Sequence, residues 1–373
     1  MKVLAVYNTD HVLGGGEVSF TLTLSSLVAG GVDVLAVVPG PGPLTGYIEQ
    51  QGIPVEIIPQ ETLKGSGIAR LIWPSEKWTA LVKGYRPDLI HCNAIRSALY
   101  AQAVGHALKV PVILHARKEN PDPLDTFLLW RLSGIICISQ VVRRRFPAQT
   151  GRAHLEVIYN AVDIGQMQNP LNAGALRNQW RRNEDSVLVG VPGRLSPIKG
   201  QHRLVHAAPG ILSRFPQAVF VFIGGEDETF RGYVDGLKGS IREKRLTPYF
   251  VFSGFQADMT SVYQALDVVV FPTGAEAFGR IVIETGAARK PLVANDLEII
   301  REILPEQSAE FVVNCDDSAA FAAKINALLE SEDLRSQSAG RLHEHVRRTF
   351  GIENHRNRVL KMYDVILSSR SDR

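Results

Sequence analysis

The feature that most constrains the fold is a repeated alternation of short apolar runs with longer helical patterns. The runs are continuous in hydrophobicity, as in strands buried on both faces of a parallel sheet. Helical patterns fit between them, for example over 16–29, 73–84 and 94–108. This alternation predicts an α/β fold with doubly wound sheets. The predicted strands cover 2–7, 32–38, 55–58, 89–92, 112–115, 134–138, 155–158, 187–192, 219–224, 249–253, 268–271, 291–294 and 310–313.

The rhythm is interrupted once, over residues 160–182, where the sequence is polar and contains Gly165, Pro170 and Gly174. We interpret this segment as a linker followed by the first helix of a second domain. A chain of 373 residues suits two domains of ordinary size. We expect domains at 1–165 and 166–351, with a terminal helix at 352–373 that packs back on the first. Doubly wound domains bind ligands beyond the carboxyl ends of their strands, so the pair predicts a shared central cleft.

Composition excludes several function classes. A formal net charge of +3 gives no reason to expect a nucleic-acid partner. Cys92, Cys137 and Cys315 are widely spaced, which predicts reduced thiols and no zinc site. The apolar start at 1–6 is too short for a signal peptide, and no apolar run approaches the roughly 20 residues that span a bilayer. We therefore expect a cytoplasmic protein, with peripheral attachment to the inner face of the membrane as an alternative.

The strongest motif runs from Glu276 to Glu284, around a Phe278-Gly279 turn that follows a predicted strand. A helix beginning near Gly279 would aim its free amides and its dipole at an anionic diphosphate. Glu276, before the helix, can accept hydrogen bonds from sugar hydroxyls, and Glu284, inside it, can hold both hydroxyls of a ribose. Taken alone, the motif is equally compatible with two surface glutamates beside a helix start.

A second motif covers 193–200 and carries two cations at the end of a predicted strand. Arg194 can form a fork to phosphate oxygens, and Lys199 adds a compact charge. An ordinary solvated basic loop is the alternative interpretation.

A third motif is the glycine run at 14–16, which would let the backbone approach a ligand. It fails the dinucleotide fingerprint, because Ser19 stands where the third glycine belongs. Pro39 follows the second predicted strand, and no acidic residue there could hold an adenosine ribose. These features disfavour a nicotinamide oxidoreductase.

In order and spacing, the Arg194/Lys199 and Glu276/Glu284 pairs resemble those of the retaining glycosyltransferases of family 4, which have the GT-B fold. Two departures from the family pattern occur: Ala161 replaces the glycine of its Asn-Gly-Val-Asp turn, and Leu297 replaces the proline of its Pro-Glu pair. The stretches that match the family are 14–17, 91–93, 115, 139, 160–163, 194–199, 224–226, 253–255 and 276–284.

The resemblance implies a retaining transfer of sugar from a nucleotide-diphosphate sugar, UDP- or GDP-linked, to a saccharide or lipid-linked acceptor. Cell-envelope, lipopolysaccharide or polysaccharide biosynthesis is the expected setting. A GT-B sugar-nucleotide epimerase, a glycan synthase and a non-catalytic nucleotide-sugar-binding protein are the alternatives that remain.

The resemblance also implies residue roles. Arg194 and Lys199 would bind the diphosphate, and Glu284 the ribose. His115 would lie near the reacting face of the sugar, although a structural histidine at a strand end is the alternative. Phe255, after a strand end, is a candidate for contact with the base. The remaining donor-site residues are Glu276, Gly15, Gly16 and the stretch Phe278, Gly279, Arg280 and Ile281.

No Asp-x-Asp motif is present to hold a metal. We therefore expect no metal and no cofactor, with Arg194, Lys199 and the helix start at Gly279 stabilising the charge that grows on the leaving diphosphate.

The first domain would bind the acceptor, again by resemblance. Basic residues there alternate with tryptophan, a pattern typical of contact with an anionic membrane. A solvated helix with tryptophan in the core is the alternative. The residues concerned are Lys64, Arg70, Trp73, Lys77, Trp78, Lys83 and Arg86, with a second cluster at Arg143, Arg144, Arg145 and Phe146.

Overall fold

The apolar runs form the strands of two parallel sheets. A computed structural model describes residues 1–11, 14–60, 73–123, 125, 129–147 and 153–371. The chain divides into two compact units. Met1–Ala161 and Ile352–Arg373 form the first, and Val162–Gly351 forms the second. The predicted α/β class, with a doubly wound Rossmann-like sheet in each unit, is confirmed.

In the described part of the first unit, seven parallel strands are arranged in the order β3-β2-β1-β4-β5-β6-β7. The order reverses between β1 and β4, so a ligand of this sheet would lie beyond their carboxyl ends. The strands are β1 (Lys2–Val6), β2 (Asp33–Val38), β3 (Val55–Ile57), β4 (Leu89–Cys92), β5 (Val112–Ala116), β6 (Gly134–Cys137) and β7 (His154–Val157). The helices are α1 (Gly15–Ala29), α2 (Pro43–Glu49), α3 (Glu76–Tyr85), α4 (Ile95–Leu108) and α5 (Gln140–Arg143).

The second unit repeats the arrangement, with six parallel strands among its described residues in the order β10-β9-β8-β11-β12-β13. Here the order reverses between β8 and β11. The strands are β8 (Val187–Pro192), β9 (Ala218–Ile223), β10 (Phe250–Gly254), β11 (Val268–Phe271), β12 (Leu292–Asn295) and β13 (Val312–Val313). The helices are α6 (Ala173–Trp180), α7 (Gln201–Leu212), α8 (Arg231–Glu243), α9 (Met259–Ala265), α10 (Arg280–Ala287), α11 (Glu298–Ile303), α12 (Ser318–Glu330) and α13 (Glu332–Thr349).

The last helix, α14 (Ile352–Ser371), belongs to the first unit, although it follows the second in sequence. Val359, Met362 and Tyr363 are fully buried in the same apolar cluster as strand residues of the first sheet. The Tyr363 hydroxyl lies 2.6 Å from Nδ1 of buried His91 on β4. The apolar face of α14 is therefore part of the first unit's core.

Two of the predicted membrane-facing features are wrong. Trp78 is 4% exposed and so belongs to the core of the first unit. In the second cluster Phe146 is buried, and Arg145 forms an ion pair with Asp125. By contrast, Trp73 is 71% exposed.

Lys64 and Arg70 lie outside the described residues. Among the helices that are described, none combines the length and the apolar character needed to cross a membrane.

The packing of α14 gives a test of the first unit. A Cβ atom added to Gly134 on β6 would lie 2.5 Å from Cδ1 of Ile366 and 2.7 Å from Cε of Met362. We expect Gly134→Ala to lower the free energy of unfolding by about 1–3 kcal/mol, because it overpacks this contact. Urea unfolding of the full chain measures the effect.

Gly84→Ala in α3 is the matched control, because a Cβ there meets no atom within 4 Å. Alanine also favours the helix, so this variant should be neutral or slightly more stable. Equal stability of the two variants would contradict the packing of α14 on β6.

Candidate functional site

The two motifs that carry charge meet at one edge of the second sheet. Residues 193–200 follow β8 and residues 272–279 follow β11, and these neighbouring strands are parallel. Their carboxyl ends form the point where the strand order reverses, which is where doubly wound sheets bind ligands.

Hydrogen bonds to one carbonyl tie these two loops together. The oxygen of Ile198 accepts bonds from the backbone N–H of Gly274 at 2.7 Å and from the hydroxyl of Thr273 at 2.9 Å. Gly200 has a φ of +72°, and a Cβ there would lie 2.1 Å from the oxygen of Pro272. Glycine is therefore required at this position, both for the left-handed backbone and for the close approach.

Two side chains from outside these loops also hold the loop after β11 in place. The guanidinium of Arg203 donates to the oxygen of Pro272 at 2.7 Å and pairs with Asp316. Asn295, buried at the end of β12, donates to the oxygen of Thr273 at 2.8 Å. The relative position of the two loops is therefore determined by hydrogen bonds.

Lys199 of one loop and Glu276 of the other form an ion pair. Nζ of Lys199 lies 2.8 Å from Oε2 of Glu276, and each side chain is 23% exposed. A cation and a carboxylate separated by 77 positions in sequence are thus adjacent and still accessible. They can serve a phosphate oxygen and a sugar hydroxyl respectively.

Helix α10 begins beside this pair. Gly279 is its N-cap in the left-handed region, with a φ of +87°. The side chain of Phe278 is 2% exposed and packs edge-on against Phe350, so only its backbone can serve a ligand. Cδ1 of Ile281 would lie 3.7 Å from a Cβ added to Gly193. The helix start therefore adjoins the loop that carries the cations, and its first amides favour an anion there.

One turn further along α10, both oxygens of Glu284 have protein partners. Oε1 pairs with Arg280 at 2.5 Å, and Oε2 accepts a 2.8 Å hydrogen bond from the hydroxyl of Tyr263. Glu284 is 9% exposed, and Tyr263 on α9 is fully buried. Burial, assisted by the negative charge of Glu284, raises the pKa of Tyr263 well above its ordinary value, so the phenol remains a donor.

Arg194, in the same loop as Lys199, has a different carboxylate partner. Its guanidinium is 3.2 Å from Asp227 and 5.7 Å from the centre of the Phe230 ring, and its side chain is 54% exposed. Among the described residues, no hydrogen bond or ion pair joins Arg194 to Lys199 or Glu276. The predicted cation pair is thus divided, with a separate carboxylate partner for each member.

Phe255 lies at the same edge of the sheet, directly after β10, and is 74% exposed. Its Cβ would be 3.9 Å from a Cβ added to Gly225, which follows β9. The aromatic ring is therefore available to a ligand at this edge.

The remaining predicted residues belong to the first unit. Gly15 and Gly16 open α1, and a Cβ on Gly16 would lie 3.5 Å from Cδ of Arg117. The Arg117 guanidinium donates to the side-chain oxygens of Asn93 and Asn160, at 2.9 Å each. The sequence gives no local signal for Arg117, because these two hydrogen-bond partners follow two other strands, β4 and β7.

His115 is fully buried in the first unit. Its ring stacks on His91 with centroids 5.3 Å apart, and neither ring nitrogen has a hydrogen-bond partner among the described residues. Burial lowers its pKa well below the ordinary value, so the ring is neutral. The unpartnered ring nitrogens do not fit the alternative of a hydrogen-bonded structural histidine, and a role of His115 at the reacting sugar stays a prediction.

Two doubly wound units, with these loops at the switch point of the second, define the GT-B class of fold. The Glycosyltransferase Family 4 model matches residues 13–166, and the model of Glycosyl transferases group 1 matches residues 173–341. The two matches follow one another along the chain, and together they cover most of both units. The chain belongs to the family 4 glycosyltransferases, as the resemblance predicted.

Among curated proteins, the chain is similar to a phosphatidyl-myo-inositol mannosyltransferase of Mycolicibacterium smegmatis. The two are 29% identical over 221 residues, 58% of this chain and 54% of that protein. The chain spans little more than half the length of such relatives, 54% and 61% for two of them.

Solved structures show the same fold. HepE of Anabaena, in complex with UDP and glucose, has a TM-score of 0.82 at 24% identity, covering 98% of this chain and all of that one. A glycosyltransferase from Rickettsia africae has a TM-score of 0.85 at 17% identity, covering 98% of each chain.

Proposed function

We propose that the chain transfers a sugar from a nucleotide-diphosphate sugar to an acceptor, and that the second unit holds the donor. The observation that carries this proposal is the Lys199–Glu276 ion pair at the switch point, beside the start of α10. It places a cation, a helix N-terminus and a carboxylate within one small area. A sugar diphosphate, which joins an anion to a ring of hydroxyls, needs that combination.

In the proposed complex the diphosphate lies between Lys199 and the helix start at Gly279, and Arg194 turns from Asp227 to reach it. Glu276 accepts hydrogen bonds from the sugar, and Glu284 from the ribose. When the bond from the sugar to phosphate breaks, negative charge grows on the leaving diphosphate. Cations and amides already aimed at that charge stabilise the transition state more than the ground state.

The donor and acceptor classes rest on the family and its relatives. A solved structure of this fold was crystallised with UDP and glucose, which supports a UDP-sugar as donor; a GDP-sugar is the second donor that the family resemblance implies. The name of a curated relative supports a lipid-linked acceptor, and we propose such an acceptor or a saccharide in cell-envelope biosynthesis. We also propose retention of the anomeric configuration, which NMR of the product tests directly.

Removal of either cation should slow transfer. We expect Arg194→Ala and Lys199→Ala each to lower kcat by about a hundredfold or more, since one lost transition-state donor typically costs ~3–4 kcal/mol. Steady-state assays with the cognate nucleotide sugar measure the effect.

Arg214→Ala is the matched control, because Arg214 is also 54% exposed and also pairs with one carboxylate, Glu330. The control should retain full activity. Near-normal transfer by both site variants would defeat the assignment of the cations. Hydrolysis of the donor without an acceptor would instead indicate an epimerase-like or hydrolytic activity.

Metal dependence is a separate expectation. Among the described residues, no three His, Cys, Asp or Glu side chains are grouped so that they could hold a metal ion. If protein cations stabilise the leaving group, transfer should continue at full rate in excess EDTA. A rate that falls to background with EDTA, and returns with Mg²⁺ or Mn²⁺, would contradict this account.

Peripheral membrane attachment is proposed on narrower grounds. Trp73 is 71% exposed and precedes α3, where Lys77 and Lys83 are exposed. We expect co-sedimentation with anionic vesicles that weakens in Trp73→Ala, because an interfacial ring and basic residues act together. Trp130→Ala, which removes another exposed tryptophan, is the control. Equal losses of vesicle binding in both variants, or no vesicle binding by the unmodified chain, would contradict the proposal.

A further inference from the structure

We propose that Tyr263 is a positioning residue that sets the Glu284 carboxylate to bind both hydroxyls of a ribose. This inference rests on the proposed function, because it takes the ligand of the second unit to be a nucleoside diphosphate. It assigns a role to a side chain that would not itself touch the ligand.

Each oxygen of the Glu284 carboxylate has a partner among the protein side chains. Tyr263 donates to Oε2 at 2.8 Å, and Arg280 pairs with Oε1 at 2.5 Å. Each carboxylate oxygen has two lone pairs, so one on each remains for a ligand. A protein donor on each oxygen fixes the plane of the carboxylate. Two neighbouring hydroxyls of one ring can then each donate to a different oxygen.

The Tyr263 contact fixes Glu284 more firmly than the Arg280 contact. Tyr263 is fully buried on α9, whereas the side chain of Arg280 is 21% exposed and lies one turn away on the same helix. A buried aromatic ring has little freedom to move, because protein interiors are close-packed. Its hydroxyl therefore holds the carboxylate at a fixed point.

Burial also explains why the position carries tyrosine. Glu284 is 9% exposed, and a buried carboxylate is costly unless it is hydrogen-bonded. Without the hydroxyl, Oε2 would lose a buried donor, and the carboxylate could turn towards Arg280. A ribose would then meet one correctly placed oxygen instead of two.

The preference for a ribonucleotide over its 2′-deoxy analogue tests this role directly. We expect Tyr263→Phe in the full chain to weaken UDP or GDP binding about tenfold, because the Glu284 carboxylate loses one of the two donors that hold it in place. Binding of the 2′-deoxy nucleotide should change little, so the ratio of the two Kd values should approach one. In kinetics, KM for the donor should rise while kcat is retained, as for uniform binding. Isothermal titration calorimetry measures both nucleotides.

Tyr249→Phe is the control, because it removes a hydroxyl from a ring that packs at the edge of the same unit's core and lies under Arg182. It should leave both Kd values unchanged. Glu284→Asp is the second variant, because the shorter side chain cannot reach Tyr263 and a ribose together. It should lose the preference for ribose as well.

The outcomes separate the two proposals. If the unmodified chain binds neither UDP nor GDP, the proposed function fails. If it binds one of them and Tyr263→Phe keeps the full preference for ribose, the positioning role of Tyr263 is overturned. Should Tyr263→Phe not fold, a full preference for ribose in Glu284→Asp overturns it equally.

Discussion

The carbonyl oxygen of Ile198 is the point on which the candidate site depends. It accepts hydrogen bonds from both Thr273 and Gly274, and so ties the loop after β8 to the loop after β11. The sheet brings the two strand ends together, and these bonds, with those from Arg203 and Asn295 behind them, fix the loops against each other. Lys199 and Glu276 can therefore meet at 2.8 Å although they are far apart in sequence.

The charged groups of the candidate site are already paired with one another or with neighbouring side chains. Lys199 faces Glu276, Arg194 faces Asp227, and Glu284 is held by two donors. A diphosphate has to compete with these carboxylates for the cations. Its gain comes from the cations and the positive end of the α10 helix dipole acting together on one anion. Pairing also keeps the side chains oriented before the ligand arrives, which is the condition for electrostatic catalysis.

The sequence predicted the sheets well, because buried parallel strands are continuous apolar runs between turn residues. Strand ends fell within two residues of the structure. Helix α8 was missed: Gly232, Gly236 and Gly239 interrupt its pattern, although Val234 and Leu237 pack in the core. Local composition was also misleading at Trp78 and Arg145, whose burial depends on distant partners. For the same reason Tyr263 could not be foreseen, because its bond to Glu284 joins two helices and has no local signature.

A crystal structure of the full chain with UDP or GDP bound tests directly whether these two loops form the donor site. We expect the diphosphate to lie against Lys199 and the N-terminus of α10, with the ribose hydroxyls on Glu284. In this arrangement the bonds from Thr273 and Gly274 to Ile198 are unchanged. A nucleotide bound elsewhere in the second unit, or loops that separate when it binds, would contradict it.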